Sequence, residues 1–574
     1  MKPEFFSVTA GRVEEEYEKA LKKAVRNSAM PRIMNRDQTI FTRKADLGEK
    51  IANRLGWVDV AGRMRRRIAS IEAFGNDVIR AGFKHVLLMG MGGSSLAPAL
   101  FGQIHGCHDR MASFDVLDST DAKAIKAVAR KTNLNRTLFI VSSKSGTTVE
   151  TRSHMMHFLS TLEHSGFTRP GRQFVAITDK GSALHQFARG EEFRKIYLNP
   201  EDIGGRYSAL SYFGLVPAFF AGADIGALLE DAHAMERLIR ERNDESNPAV
   251  ALGVLMAAAA QTGVDKLTFV PSKQLTPLVP WIEQLVAEST GKEGEGIVPI
   301  DAEPLGSLKE YSTDRVFVAL RSSSEKPVMP DEMRDALKKK GYPVVDIRLS
   351  SFEKLGGQFL LWESATALAG YLMGINPFDE PNVTESKENT NSILDVYRES
   401  GQFADPTPSA TYKKLSLLTH GGKKKYTLSQ IADLKNLTER FFTGLKKPQY
   451  VSFLCYFRED RQIEKTITEM RESVRRKYKV ATLRGYGPRF LHSIGQLYKG
   501  GPPEGRFVIF VRANYEALEV PGRFYDFGQL ITAQAIGDAR ALLSRDLPIL
   551  VFAVEGSAAK GLKEFADVVH AVCK

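Results

Sequence analysis

Cysteine is scarce: Cys107, Cys455 and Cys573 are the only three in 574 residues. They are too few for a disulfide framework, and no C-x-x-C pair offers zinc or redox chemistry, which points to a reducing compartment. Long apolar runs are missing too. No stretch approaches the roughly 20 residues a membrane helix needs, so the shorter runs read as buried strands. The opening MKPEFFSVTAGRVEEEYEKALKKAVRN is charged and amphipathic, unlike the basic start and apolar core of a secretory signal. A cytoplasmic protein without membrane contact is the expectation.

What the chain has is ordinary globular composition, 43% hydrophobic and 26% charged, which excludes a fibre or a solvated tail. Its length suits about three or four domains. Lys and Arg outnumber Asp and Glu by 79 to 68, a net charge of +11. The basic runs Arg65–Arg67, Lys338–Lys340 and Lys423–Lys425 have no interleaved aromatics. They read as solvated faces rather than a nucleic-acid surface.

Residues 12–80 show apolar positions at three and four spacing and read as helical. From 85 the texture alternates short apolar runs (HVLLMG, SFDVLDS, TLFIVSS, QFVAITD, KIYLNP) with helix-length segments. That pattern predicts a parallel α/β sheet with crossover helices. A long helical interval, Leu228–Gln261, separates it from a second such unit (KLTFVPS, DRVFVAL, YPVVDIRL), which ends in the helix of GGQFLLWESATALAGYLMGINPF. Residues 395–445 read as a connector with a small helix. A third α/β stretch runs from QYVSFLCYF through RFVIFVRAN to LPILVFAVE.

Four segments carry chemistry. Gly90-Met91-Gly92-Gly93-Ser94-Ser95-Leu96 joins a strand to a helix, where glycines allow close backbone approach and the helix start offers free N–H groups to an anion. It lacks the Walker A lysine and the third glycine of G-x-G-x-x-G, and by itself is equally a tight turn. Ser142-Ser143-Lys144-Ser145-Gly146-Thr147-Thr148-Val149-Glu150-Thr151 follows another buried strand. Its hydroxyls and lysine suit a phosphate, although Thr148 or Ser145 could instead cap the next helix. Asp202-Ile203-Gly204-Gly205-Arg206-Tyr207-Ser208 sets an arginine behind two glycines, either to steady a developing oxyanion or to form a surface ion pair. Ala287-Glu288-Ser289-Thr290-Gly291-Lys292 ends the helix WIEQLVAE. A carboxylate there meets the unfavourable end of the helix dipole, which raises its pKa and suits a base. Glu283, Glu293 and Glu295 nearby read as solvated.

GMGGSSLAP and SSKSGTTVET together resemble the paired phosphosugar loops of the glucose-6-phosphate isomerase family, of the sugar-isomerase (SIS) fold. The likeness is closest to the divergent forms found fused to transaldolase. It implies two SIS-type parallel-sheet sandwich domains, 81–228 and 229–395, the second including the helical connection. Around them lie an N-terminal helical segment (1–80), a connector (396–445) and a C-terminal α/β extension (446–574).

The resemblance implies residue roles. Ser143, Ser145, Thr147 and Thr148, with Lys144 beside them, would take the phosphate, and Gly93, Ser94 and Gly205 would lie near the sugar. Arg206 would stabilise an enediolate. Glu288, in ESTGK against the family's E-S-N-G-K, would move the proton between C2 and C1. Gly374–Lys387 is similar to the family's N-P-F-D-Q-x-x-V-E-x-x-K segment, which gives Lys387 a part in ring opening; Glu380 stands where that pattern has Gln. His492, in GPRFLHSIGQLYKGG, resembles the family's ring-opening histidine, a residue type suited to shuttling a proton. It follows the Glu and Lys motifs instead of lying between them, which fits delivery from the partner subunit of a homodimer or, alternatively, a structural histidine. His154, His157, His233 and His570 read as structural or solvated. No metal or redox cofactor is implied. The expected activity is glucose 6-phosphate/fructose 6-phosphate isomerisation. Isomerisation of another phosphohexose such as mannose 6-phosphate and a non-catalytic phosphosugar-binding regulator are the alternatives.

Overall fold

A computed structural model describes residues 3–403, 408–418 and 433–574. Side chains of Val383, Thr384, Ser386, Lys387, Pro408 and Ser409 lie outside the description, as does the 419–432 part of the connector. Sixteen strands form three sheets among the described residues. The chain opens with β1 (Phe6–Thr9), a strand within the segment read as helical, before helices that run to Arg80.

The first unit holds β2 (His85–Met89), β3 (Ser113–Leu117), β4 (Thr137–Ser142), β5 (Phe174–Thr178) and β6 (Lys195–Leu198), all parallel in the order β3-β2-β4-β5-β6. The central strands β2, β4 and β5 are buried on both faces, as their unbroken apolar runs demand, and the edge strands β3 and β6 are partly exposed. Val86, Leu88, Ile140 and Val175 face a central core shared with the N-terminal helices and the second unit. Leu87, Met89, Phe139 and Ala176 face the opposite way, towards the helix Phe527–Leu543 of the third unit.

The second unit holds β7 (Lys266–Pro271), β8 (Val298–Ile300), β9 (Arg315–Ser322) and β10 (Val344–Leu349), in the order β1-β10-β9-β7-β8; β1 closes the edge antiparallel to β10. The long helical interval consists of two helices, Ile225–Glu241 and Pro248–Gln261. Asn247 caps the second through the Ala249 and Val250 N–H groups, and Pro248 sits at its first position. Both pack on Leu355–Met373, which is buried almost throughout.

The third unit holds β11 (Pro408–Tyr412), β12 (Leu415–Leu418), β13 (Tyr450–Cys455), β14 (Ala481–Tyr486), β15 (Gly505–Arg512) and β16 (Ile549–Val554), in the order β11-β12-β16-β15-β13-β14. The stretch read as a connector thus supplies β11 and β12, both antiparallel, and the helix Leu434–Phe442. The third unit is fastened to the other two by buried polar contacts. Arg471 donates to the Asp301 and Ala302 carbonyls at 2.6 and 2.9 Å, Glu303 accepts from the Thr482 N–H at 2.9 Å, and Thr120 donates to Gln534 at 2.8 Å. None of the described helices is long and apolar enough to cross a membrane.

Candidate active site at the junction of the three units

Because β2 and β4 are paired neighbours, the loops at their C-terminal ends lie side by side. In the second loop Ser143 Oγ is 3.3 Å from Thr148 Oγ1 and accepts from the Gly146 N–H at 3.1 Å, while the Ser145 and Thr147 hydroxyls are 2.8 Å apart. Thr148 occupies the N-cap position of the helix Val149–His164 yet makes no capping bond, so the capping role considered for it is not taken. Four hydroxyls at the start of a helix suit a phosphate. Lys144 turns aside: its ammonium pairs with Asp179 at 2.6 Å and donates to the Glu201 carbonyl at 3.1 Å.

The first loop is held by close approach. A Cβ on Gly93 would lie 2.1 Å from the Gly205 carbonyl oxygen. One on Gly92, whose φ is +54°, would lie 2.6 Å from the His492 carbonyl oxygen. Glycine therefore lets this loop touch both the GGR segment and the third unit. Ser94, partly buried, follows them at the start of the next helix.

Arg206 is only 4% exposed, which replaces the surface-pair reading with a buried one. Its Nε donates to Ser289 Oγ at 2.8 Å, Nη1 to Glu380 at 3.0 Å, and Nη2 to the Pro377 and Asp379 carbonyls at 2.9 Å each. Glu288 Oε2 is 3.5 Å from Nη1. Burial disfavours the guanidinium charge, but Glu288 and Glu380 outweigh it and hold the arginine above its usual pKa.

Glu288 sits in the last turn of the helix Val279–Thr290 and is buried. Burial, opposed by Arg206, pushes its pKa up to about 7; Glu380 adds to the rise, and His492 and Lys292 oppose it. The upward direction matches the sequence expectation, while desolvation is its leading cause. Four residues earlier, Gln284 donates to Glu288 at 3.1 Å and to the His492 carbonyl at 2.8 Å. His492 Nε2 lies 3.1 Å from Glu150 Oε1, which also accepts from Gln534 at 2.7 Å. The histidine thus comes from the same chain as Glu288, from the loop after β14.

Two further groups lock this junction. Lys292, 2% exposed, donates to the Asn376 carbonyl at 2.8 Å and to the Asp379 side chain at 2.7 Å; burial and then Arg206 lower its pKa to about 8. Gln496 accepts from the Asn382 N–H and donates to the Gly291 carbonyl, both at 2.9 Å. Glu150, Gln284, Lys292 and Gln496 were not singled out from the sequence. Glu150 and Lys292 lie inside motifs already quoted, Gln284 stands four residues before Glu288 on one helix, the spacing that shares a face, and Gln496 lies in the short helix just after His492. Glu283 is corrected: it is not solvated but accepts from Ser493 at 3.2 Å, and burial beside Asp301 pushes its pKa up to about 8. Glu293 and Glu295 are exposed. His154 is buried, donating to or facing the Ser119 carbonyl at 3.0 Å and stacked on Phe527. Lys387 belongs to the helix Pro381–Ser400, and its side chain lies outside the described residues.

Parallel sheets with hydroxyl-rich loops at paired strand ends define a phosphosugar-isomerase fold of the SIS type. Residues 29–301 match the family model for phosphoglucose isomerase. The chain is 30% identical over 360 residues to a probable glucose-6-phosphate isomerase of Natronomonas pharaonis, covering 56% of this chain and 82% of that one. It is 28% identical over 402 residues to the glucose-6-phosphate isomerase of Citrifermentans bemidjiense, covering 62% and 75%. Among solved structures, a hypothetical protein from Thermus thermophilus superposes with a TM-score of 0.55 at 24% identity, covering 68% of this chain and 99% of that one. A glucose-6-phosphate isomerase from Chlamydia trachomatis does so with 0.53 at 19%, covering 69% and 89%. The chain belongs to the phosphoglucose isomerase family.

Proposed function

We propose that the chain interconverts glucose 6-phosphate and fructose 6-phosphate through a cis-enediol, with every group of the described site drawn from one chain. The family membership supports the reaction. The observation that carries the mechanism is Glu288, a buried carboxylate with a pKa of about 7 placed 3.5 Å from a buried arginine.

The hydroxyls of Ser143, Ser145, Thr147 and Thr148 anchor the phosphate, so that binding energy remote from the reacting carbons positions them. His492, oriented by Glu150, moves the ring-opening proton, and Lys387 assists on the ground of the resemblance. Glu288 lifts the proton from C2 and returns it at C1. Arg206 stabilises the negative charge that develops on the enediolate oxygens. Gly93, Ser94 and Gly205 shape the sugar side. The transferred hydrogen is a proton, so the route proposed uses no redox partner. A homodimer and a cytoplasmic location are proposed on the resemblance and composition alone.

Glu380 on Arg206 favours keeping mannose 6-phosphate as a second substrate to try. The test is a coupled assay of purified chain with fructose 6-phosphate, following glucose 6-phosphate and mannose 6-phosphate in parallel. Wild type is expected to form glucose 6-phosphate, with Glu288→Gln slower by about a hundredfold or more. An E288Q rate equal to wild type removes Glu288 as the base. Phosphosugar binding without turnover points to a regulator instead.

A further inference from the structure

The third unit carries a cavity that the catalytic reading does not use. It has a volume of about 540 Å³ and is lined by Lys123, Arg458, Asp460, Arg512 and the Gly556–Ala559 turn. That is the size range of small-molecule sites. Its place in the fold is specific. From β13 the chain crosses through the helix Arg461–Tyr478 to β14 on one side; it then returns past β13 to β15 and crosses through Phe527–Leu543 to β16 on the other. The two crossover helices pack on opposite faces of the sheet, Ile463, Ile467 and Met470 on one and Ile531, Ala535 and Ala539 on the other. The winding therefore reverses between β13 and β15, and in open α/β sheets ligands bind at the strand carboxyl ends where it reverses. Arg458 follows β13, Arg512 ends β15, and the Gly556–Ala559 turn follows β16, so the cavity lies at that crevice.

The charge of the lining is one-sided. Three cations face one carboxylate, and Asp460 is already occupied in accepting the Gln462 and Ile463 N–H groups at 2.8 and 2.9 Å. Among the described residues none of Lys123, Arg458 and Arg512 has an acidic partner within salt-bridge distance. Arg512 is nevertheless held in place, and the backbones that carry the exposed Lys123 and Arg458 are fixed. The Arg512 guanidinium lies 5.5 Å from the centre of the Phe457 ring, bonds the Gly556 carbonyl at 3.3 Å, and keeps a buried Nε without a hydrogen-bond partner. Buried Asp121 accepts the backbone N–H groups of both Lys123 and Arg458, at 3.0 and 2.6 Å, which brings a residue of the first unit and one of the third to the same rim. The Ser557 hydroxyl makes no capping bond at the head of the helix Ala558–Cys573.

We propose that this cavity is a second anion site, separate from the Ser143–Thr148 loop, which takes the phosphoryl group of a small phosphorylated metabolite. Two arginines and a lysine supply charge and donors to its oxygens, and the small residues of the 556–559 turn let it approach the backbone. Because Lys123 and Arg458 come from different units, the bound anion bridges the first unit to the one that carries His492.

The probe is inorganic phosphate in equilibrium dialysis against the full chain. Wild type is expected to bind about two phosphates, an Arg458→Ala/Arg512→Ala variant about one with isomerase kcat unchanged, and a Ser145→Ala/Thr147→Ala variant about one. Lys123→Ala, on an exposed helix start, weakens the second phosphate by about fivefold or more and covers the case in which the double arginine variant does not fold. A wild type that binds a single phosphate, lost in S145A/T147A and untouched by R458A/R512A or K123A, overturns the proposal. A single phosphate lost with the arginines instead supports this site and counts against the catalytic loop, so the two readings fail separately.

Discussion

As the proposed base, Glu288 must be ionised to accept a proton, and its pKa, pushed up to about 7 by burial, is expected to set the acidic limb of the rate profile. We expect kcat/KM, which reports the free enzyme, to fall about tenfold per pH unit below that value. Glu380 helps to hold the pKa up, so Glu380→Gln is expected to move the limb to lower pH by up to about one unit, measured as a pH–rate profile beside wild type. An unmoved limb separates Glu380 from the base. The same shift has a stability consequence. A carboxyl raised above its unfolded value of 4.5 stabilises the fold fully below that pH, and the contribution is lost as pH rises through about 7. The melting temperature of Glu288→Gln relative to wild type should therefore climb between pH 4.5 and 7 and level off above; a flat difference refutes the raised pKa. Glu288, Arg206 and His492 were each singled out from short motifs, and the structure brings them to one junction. Their supports were not, because Gln284 and Gln496 act only through a helical turn and a neighbouring unit. The solvated reading of Glu283 failed for a similar reason: the acid and the hydroxyl beside it, Asp301 and Ser493, stand 18 and 210 residues further along the chain.

At the level of elements, the site depends on how closely the catalytic helix meets the third unit. A Cβ on Gly291 would lie 2.4 Å from Leu497 Cα, and backbone cannot swing aside as a side chain does. Gly291→Ala should push the Gly495–Gly500 helix away from Glu288, break the Gln496 bonds and displace His492. We expect kcat to drop about tenfold or more while phosphate affinity, held by the Ser143–Thr148 loop, stays near wild type. Equal losses in both would place the damage in general folding. Most strands could be read from continuous apolar runs, as with TLFIV in β4 or RFVIFV in β15. β14 was passed over because ATLRGY carries Arg484 and Gly485 in place of such a run, and β8 because it is three residues long. The break before Pro248 is written in the Asn-Pro pair, and the helix after it is apolar on every face because it is buried almost throughout.

Across the whole molecule, three parallel-sheet units converge on one junction. The first gives the phosphate loop and Glu150, the second Glu288 and Lys292, and the third His492 and Gln496. Sequence order alone made the third unit an extension and left His492 either to a partner subunit or to a structural role. Only packing reveals that buried contacts such as Arg471 to Asp301 hold the third unit against the catalytic helix of its own chain. The most direct test is complementation. Glu288→Gln and His492→Ala chains, each expected to lose about a hundredfold or more in kcat, are co-expressed with different tags, purified together and assayed with fructose 6-phosphate. Each intact site needs both residues from one chain, so the mixture should stay as inactive as its components. Recovery towards about a quarter of the wild-type rate would mean that the histidine crosses between subunits, and would contradict the single-chain site.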